Sequence, residues 1–261
     1  MPDLDLQEKA RRIVALFRDR TPTPVLPEAL RPTSLAEAYE IRAAFQEIEE
    51  KEGRGPVAGY KIGLTTPVMQ RLCGIDEPCW GAIFASEVHH GRAELAAAQY
   101  CRLGVETEIA LRLGADPPRG GDRAAIAAAV DAAMAAIELI EDLGYDYKRL
   151  DAAAMIAGNA WNAGIVLAPP VADWHKIDLA RASARLSING REIGAGSGSD
   201  VMGSPLHALA WLADRLAAAG TPLRRGMVVM TGSMVPIQYP RPGDRVRIEV
   251  SGLGAAELVV A

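Results

Sequence analysis

The sequence predicts an α+β protein, because helical patterns concentrate early in the chain and strand patterns late. There is no regular β-α-β alternation and no repeat of fixed period. With 261 residues, 49% of them hydrophobic, the chain is long enough for a sizeable core. We expect one structural unit made of an N-terminal helical region, residues 1–55, and a β-rich catalytic part, residues 56–261.

Two helices are predicted in the N-terminal region. Residues 5–19 place apolar side chains at helical spacing, and a proline-rich linker between residues 22 and 32 follows. Ser34 and Glu37 have the spacing of a capping box, so a second helix should begin there and run to about Glu52.

Strand patterns begin near residue 56, with a short strand at residues 57–63 and a longer one at residues 105–113. Asp122 can cap a helix that runs to about Ala133. The next segment, residues 136–142, fits either a continuation of that helix or a strand, and periodicity does not decide between them.

The last third of the chain has clear turn signals. Asn189-Gly190 predicts a hairpin, and Ser204-Pro205 predicts the start of a helix that ends at Gly220. Three further strands are expected, at residues 228–231, at residues 245–250 and in the segment that ends at Val260.

Charge and composition exclude several classes of partner. The net charge is −5 and no basic cluster stands out, so neither nucleic acid nor an anionic membrane is expected. The acidic N-terminus does not resemble a signal peptide, and no stretch approaches the roughly 20 apolar residues of a membrane span. Three cysteines without a C-x-x-C motif favour the cytoplasm: Cys73, Cys79 and Cys101.

Glu106 and Glu108 form the first candidate site. The alternation of the strand places both carboxylates on one face, about 7 Å apart along the chain. Like charges at that spacing repel each other and Glu is a poor strand former, so a bound cation would remove the conflict. From these two residues alone, a solvated strand face is an equally good interpretation.

Lys61 and Glu138 can extend this site. Lys61 lies in a short apolar strand, where a lysine either reaches solvent along the surface or stays partly buried and binds a carboxylate or moves a proton. Glu138, near Glu141 and Asp142, has the ordinary interpretation of a solvated helix face. If Glu138 joins Glu106 and Glu108, the three carboxylates form an all-oxygen site that selects Mg²⁺, Mn²⁺ or Ca²⁺ over zinc.

Other polar residues allow two interpretations each. Asn159 and Asn162 can hydrogen-bond a substrate or shape a loop, and Ser233 can offer a hydroxyl group at the end of a strand. The glycine-rich residues 194–200 lack the lysine of a phosphate loop, so nucleotide binding is not expected. No serine nucleophile motif is visible, and the four histidines lack zinc-site spacing.

Ten segments, in order and at compatible spacing, resemble one enzyme family. They are residues 59–65, 74–78 with Gly81, 105–110, 137–140, 159–164, Gly203 with Pro205, 210–213, 223–226, 231–233 and 242–244. The family comprises 2-oxopent-4-enoate (2-hydroxypentadienoate) hydratases and 4-oxalocrotonate decarboxylases, and it is related to the catalytic domain of fumarylacetoacetate hydrolase. The similarity covers about residues 35–260.

The resemblance implies a mixed, highly curved β-sheet roll with an N-terminal helical region. It implies Mg²⁺ or Mn²⁺ as cofactor, a small 2-oxo acid as substrate, and a homo-oligomer of five or ten subunits, compatible with association with another enzyme of the pathway. The residues that it assigns are the metal ligands Glu106, Glu108 and Glu138, the catalytic Lys61, and substrate contacts at Leu64, Asn159, Asn162 and Ser233.

The implied reaction is hydration of a 2-hydroxydienoate, with a proton added at C5 and water at C4, to give a 4-hydroxy-2-oxo acid in aromatic-compound catabolism. Decarboxylation, or another carbon–carbon lyase or hydrolase reaction of a 2-oxo acid, uses the same metal-stabilised dienolate and is the alternative. A non-catalytic partner of an enzyme complex is the third hypothesis, against which the intact metal-ligand positions argue.

Three positions depart from the family pattern. Hydratases commonly have Asp at the position of Cys79, and a buried thiol is a weak substitute, which favours the decarboxylase alternative. Gly158 stands where the family often has Asp, and Ser204 stands where it usually has His. The metal-ligand and lysine positions are intact, so the sequence supports the dienolate chemistry better than the choice of reaction.

Overall fold

The computed structural model describes residues 4–261. Residues 1–3, the first residues of the predicted helical region and part of the acidic N-terminus, lie outside the described part. None of the helices in the described part of the chain combines the length and the apolar character that a membrane crossing requires. The content of helices and strands and the strongly curled main sheet confirm the predicted α+β class.

The helices follow the predicted caps with small differences. Their bounds are α1 Leu6–Arg18, α2 Leu35–Glu49, α3 Pro67–Cys73, α4 Arg123–Ala128, α5 Ala152–Ala157 and α6 Pro205–Ala218. Ser34 caps α2 by accepting a hydrogen bond from the Glu37 amide, but Glu37 bonds to Thr33, so the predicted capping box is only half formed. Helix α2 ends at Glu49 and continues as the π-helical turn Glu50–Arg54.

Twelve strands are present among the described residues. Their bounds are β1 Val57–Gly63, β2 Cys79–Phe84, β3 Val88–His90, β4 Arg92–Leu95, β5 Leu103–Leu113, β6 Val130–Glu141, β7 Asn162–Leu167, β8 Ser183–Ile188, β9 Arg191–Ser197, β10 Val228–Gln238, β11 Arg245–Val250 and β12 Gly254–Val260. The ambiguous residues 136–142 belong largely to β6, because the helix that Asp122 caps already ends at Ala128. The expected extension of that helix to about Ala133 was therefore wrong.

Two C-terminal expectations gave different outcomes. The hairpin at Asn189-Gly190 is confirmed, since Ile188 pairs with Arg191 and both turn residues have positive φ. Strand β10, expected to stop near Thr231, continues through bulges to Gln238 as it follows β5.

The strands form two sheets. The seven-stranded sheet has the order β2-β1-β10-β5-β6-β7-β3, and the five-stranded sheet has the order β4-β12-β11-β8-β9. One face of β5 contributes Val105, Ile109 and Leu111 to a core that includes Ile248 and Leu258 of the smaller sheet. Glu106, Glu108 and Ala110 therefore point to the other face of the curled sheet.

The N-terminal helices are joined to the rest of the fold. Helix α1 packs against α2, and α2 packs against α5, which lies between β6 and β7 in the chain. Phe17 of α1 and Phe45 of α2 meet edge to face at 5.9 Å. The division of the chain near residue 55 stays a prediction.

Candidate metal centre

Strand register brings the three acidic residues together. Glu106 of β5 lies opposite Glu138 of β6, and Glu108 follows two residues later on the same face of β5. One carboxylate oxygen of each residue can be chosen so that all three lie within 4.8 Å of one another. Because residue 138 lies in a strand and not in a helix, its side chain faces the predicted pair.

Burial makes this cluster of carboxylates costly without a counter-charge. Glu108 and Glu138 are fully buried and Glu106 is partly buried. Burial, reinforced by the charge of Glu138, raises the pKa of Glu106 to about 7 and the pKa of Glu108 well above its usual value. A cation among these oxygens would favour the ionised forms.

Two oxygens of the cluster lack a hydrogen-bond donor. Glu108 Oε2 accepts from the Gly232 amide at 2.8 Å, and Glu138 Oε1 accepts from Asn162 Nδ2 at 2.9 Å. Glu108 Oε1 and Glu138 Oε2 are buried and have no partner among the described residues. An unsatisfied buried acceptor costs about 1–3 kcal/mol, so these oxygens fit the role of metal ligands.

Lys61 supplies the positive charge of the centre. It lies in β1 between β2 and β10, is 4% exposed, and its Nζ is 3.2 Å from Glu138 Oε1. Burial acts to lower the pKa of Lys61, but the charges of Glu138 and Glu106 outweigh burial and raise it. Lys61 is therefore a buried ammonium group, and it does not reach along the surface to solvent.

Cys79 lies beside this ammonium group. It pairs with Gly63 across β1 and β2, and a Cβ atom placed on Gly63 would lie 3.2 Å from Cys79 Sγ and 3.5 Å from Lys61 Nζ. Burial raises the pKa of the thiol to about 12. Cys79 is therefore neutral near pH 7 and a poor proton acceptor there.

A cavity of about 490 Å³ opens next to the carboxylates. Lys61 and Glu106 line it together with two of the predicted substrate contacts, Leu64 and Ser233. The Ser233 hydroxyl donates to the Val235 carbonyl at 2.6 Å, which leaves its oxygen free to accept.

The two predicted asparagines do not line the cavity. Asn162 orients Glu138 through its amide nitrogen, and its Oδ1 atom is buried without a partner among the described residues. Asn159 accepts from the Ala82 amide at 2.7 Å and donates to the Ala82 carbonyl at 2.9 Å, so its side chain holds β2 in place. A Cβ atom on residue 81 would lie 2.3 Å from the Asn159 carbonyl oxygen, so only glycine fits at this position.

Two residues of the cavity wall, Ala160 and Trp161, were not predicted from the sequence, and they share an unusual backbone conformation with the predicted contact Leu64. Leu64, Ala160 and Trp161 have φ values of 56°, 49° and 61°, a left-handed conformation that costs bulky L-residues about 1–2 kcal/mol each. The Trp161 ring stacks on Tyr145 at 4.2 Å. The sequence does not predict this conformation at the three positions, because glycine and asparagine are the residues that usually indicate it. Among these residues and their neighbours, only Asn159 is of such a type.

Tyr147 is a further wall residue that the sequence did not reveal. Its hydroxyl bonds to Tyr239 and to Asp142, whose Oδ2 also accepts from Tyr239 at 2.7 Å and from Arg102 at 2.5 Å. The ring is therefore fixed at the cavity wall by a buried carboxylate that is fully occupied.

Comparisons with known proteins agree with this architecture. The family described as "Fumarylacetoacetate (FAA) hydrolase C-terminal" matches residues 83–261. A protein named 2-keto-4-pentenoate hydratase from Burkholderia vietnamiensis is 34% identical over 221 residues, which cover 84% of this chain and 83% of that protein. A protein of the same name from Paraburkholderia phymatum is 32% identical over 256 residues, covering 97% and 96% of the two chains.

Among solved structures, 4-oxalocrotonate decarboxylase from Pseudomonas putida G7, complexed with magnesium and adipate, superposes with a TM-score of 0.91. The match covers 98% of this chain and 97% of that chain at 22% sequence identity, and it shows that the two proteins share a fold.

Proposed function

Because the chain belongs to the fumarylacetoacetate hydrolase family, we propose that it is a metal-dependent hydratase of a 2-hydroxydienoate from aromatic-compound catabolism. The observation that carries the proposal is the convergence of Glu106, Glu108, Glu138 and Lys61 beside one cavity. The relatives named as hydratases support this reaction over others of the same fold.

The donor set fits Mg²⁺ or Mn²⁺. Glu106, Glu108 and Glu138 offer hard oxygen atoms, two of which are buried without a hydrogen-bond donor among the described residues. When bound there, the cation would supply Lewis acidity to the oxygens at the carboxylate end of the substrate.

The overall reaction leaves the chain two proton transfers to manage. A proton is added at C5 and the 2-hydroxyl proton is lost, which gives a 2-oxo-3-enoate; water then adds its hydroxyl at C4 and its hydrogen at C3. Lys61 is the cationic donor at the cavity wall. One of its N–H groups faces Glu138, and we assign the others to holding the substrate carboxylate or assisting proton transfer.

The decarboxylase alternative rests on Cys79. An acid at this position would give hydration a second proton-handling group, whereas the buried thiol, with its pKa raised to about 12, gives none near pH 7. Loss of CO₂ from a vinylogous 2-oxo acid does not require that group. Cys79 thus favours a 4-oxalocrotonate-type decarboxylase, or another carbon–carbon lyase or hydrolase, as the second candidate.

One assay separates the two candidates. The protein, loaded with Mg²⁺ or Mn²⁺, is incubated with 2-hydroxypenta-2,4-dienoate and separately with 2-oxohex-3-enedioate, while dienol absorbance and CO₂ release are followed. A 4-hydroxy-2-oxo product without CO₂ is expected. Release of CO₂ from the diacid at a comparable rate would replace the hydratase proposal by the decarboxylase.

The assembly and the location belong to the same proposal. We assign the protein to the cytoplasm as a homo-oligomer of five or ten subunits, able to associate with another enzyme of its pathway. The supporting observations are the family resemblance and the three unpaired cysteines. Light scattering coupled to size-exclusion chromatography gives the subunit number, and a monomer would contradict this assignment.

A further inference from the structure

The cavity wall beyond the carboxylates is mostly apolar. Four separate segments of the chain contribute apolar side chains that meet around one space: Ile140, Leu150, Met155, and Val235 with Ile237. Such a wall gains free energy by covering apolar ligand surface and offers few hydrogen bonds in return.

The charges of the wall are unevenly distributed. Lys61 is the one cationic side chain among the described residues that line the cavity, and it is already paired with Glu138. The other charged lining residues, Glu106 and Asp200, are acidic. A carboxylate at the far end of a substrate would therefore find no free cation, and Asp200, which is exposed, would repel it.

Four residues of the wall carry hydroxyl groups, namely Thr65, Thr66, Tyr147 and Ser233, and two of these hydroxyl groups already donate within the protein. The Tyr147 hydroxyl is engaged with Tyr239 and Asp142, and the Ser233 hydroxyl donates to the Val235 carbonyl. Neither hydroxyl group therefore has a hydrogen left for a substrate carboxylate, which can only accept hydrogen bonds.

The space exceeds the needs of a five-carbon acid. Cavities of roughly 300–1,000 Å³ typically hold drug-sized ligands, and this cavity of about 490 Å³ lies within that range. An unsubstituted 2-hydroxypentadienoate would leave much of the apolar wall in contact with water.

We propose that this cavity selects 2-hydroxydienoates with an uncharged, apolar substituent at C5, larger than a methyl group, and rejects substrates with a second carboxylate. The inference rests on the proposed function and deepens it, because it names the substrate class. It also assigns a physical cause to hydration over decarboxylation, since the 4-oxalocrotonate-type substrate is a diacid.

Three arginines of other segments do not line the substrate cavity. Arg31 and Arg149 line a smaller cavity of about 130 Å³, which shares Leu150 and Trp161 with the main one as a common wall. Arg102, near Tyr147, is bound to Asp142. None of the three lines the substrate cavity.

Binding of unreactive 2-oxo acids tests the selectivity without turnover. 2-Oxohexanedioate and 6-methyl-2-oxoheptanoate have the same length and a similar branched end, because two methyl groups replace the two oxygens of the distal carboxylate. Titration calorimetry on the Mg²⁺-loaded protein should show the neutral-ended acid binding at least about tenfold more tightly. Equal or tighter binding of the diacid would overturn the proposed selectivity.

A second comparison tests the size of the substituent. 6-Phenyl-2-oxohexanoate should bind at least about tenfold more tightly than 2-oxopentanoate to the Mg²⁺-loaded protein, because it covers more of the apolar wall. Equal affinity would refute the preference for a large substituent. If EDTA changes none of these affinities, the proposed metal-dependent function fails; metal-dependent binding without discrimination refutes the selectivity alone.

A charge placed on the wall provides a matched test. Leu72 lines the cavity on α3 and is 50% exposed, whereas Val68 on the same helix is 65% exposed and does not line it. Leu72→Arg should strengthen 2-oxohexanedioate binding about tenfold, and Val68→Arg, with the same added charge, should leave it unchanged. Equal gains in both variants would show that net charge, and not the wall, sets the selectivity.

One further variant examines the neighbouring cation. Arg149→Gln should leave the affinities for both the diacid and its neutral analogue unchanged. A specific loss of diacid binding would show that Arg149 reaches the substrate, which would refute the inference.

Discussion

Removing a metal bound at the carboxylate cluster should lower the free energy of unfolding by the amount that metal binding contributes. A ligand present at 100 to 1,000 times its dissociation constant stabilises the folded state by about 2.7–4.1 kcal/mol. For a chain of this size, 1 kcal/mol corresponds to about 2–4 °C in melting temperature. Addition of EDTA to the Mg²⁺-loaded protein should therefore lower the melting temperature by roughly 5–15 °C.

The variant Glu106→Gln separates this cause from a general effect of chelation. The substitution removes one ligand and also one of the like charges, so the metal-free variant should melt at a temperature equal to or above that of the metal-free wild type. Its response to Mg²⁺ should be lost or strongly reduced. Glu94→Gln, at an exposed position of β4, is the control and should keep the full response.

Differential scanning calorimetry with and without EDTA, together with titration of Mg²⁺ and Mn²⁺, measures these shifts. An unchanged melting temperature of the wild type on chelation would refute the metal centre. An undiminished metal response in Glu106→Gln would refute the assignment of that ligand.

Four further predictions follow from the same contacts. Lys61→Met should lower kcat/KM about 10²–10⁴-fold while metal binding persists in calorimetry; wild-type kinetics would remove Lys61 from the mechanism. Asn162→Ala should weaken metal affinity about 10–100-fold, because Glu138 loses the amide that orients it, and an unchanged affinity would contradict that role. Folding raises the pKa of Glu106 to about 7, so the metal-free protein should lose stability as pH rises from about 4.5 to 7, where the unfolded chain has already released this proton. Added Mg²⁺ should stabilise the protein more at pH 8 than at pH 5, because the metal binds the ionised carboxylates. Melting curves with the opposite trends would show that the carboxylate cluster does not titrate in this way. Cys79→Asp should raise KM for the dienoate about tenfold, as steady-state kinetics with a parallel melting curve can check, and a KM that falls would reverse the argument about charge.

Glu138, a predicted metal ligand, shows where sequence patterns stop being informative. Strand β6 is buried on both faces for nearly its whole length, so its apolar residues do not alternate with polar ones. The same residues therefore fitted a helix or a strand, and the family resemblance, not periodicity, indicated that Glu138 is a ligand. Its position opposite Glu106 depends on strand register, which no local pattern specifies.

Lys61 shows a similar limit. A lysine in a short apolar strand usually reaches solvent, but β1 lies inside the sheet between β2 and β10 and the side chain faces the carboxylates. The burial of the ammonium group follows from the order of strands, which the sequence alone did not predict. The cavity wall is still harder to predict from the sequence, because Met69, Tyr147 and Ile237 come from segments far apart in the chain.

The charges around Cys79 give a physical reason for a neutral residue at this position, where the family commonly has an acid. Glu106, Glu108 and Glu138 contribute three negative charges and Lys61 one positive charge, which leaves −2 (−3 + 1) when all are ionised. A divalent cation balances this sum, and the neutral thiol keeps it balanced, whereas an Asp would leave −1. Because the substrate is an anion, a neutral centre binds it better than a negative one. The thiol thus favours substrate binding but provides no group that handles protons near pH 7. Cys79→Asp tests both effects, the first through KM and the second through kcat.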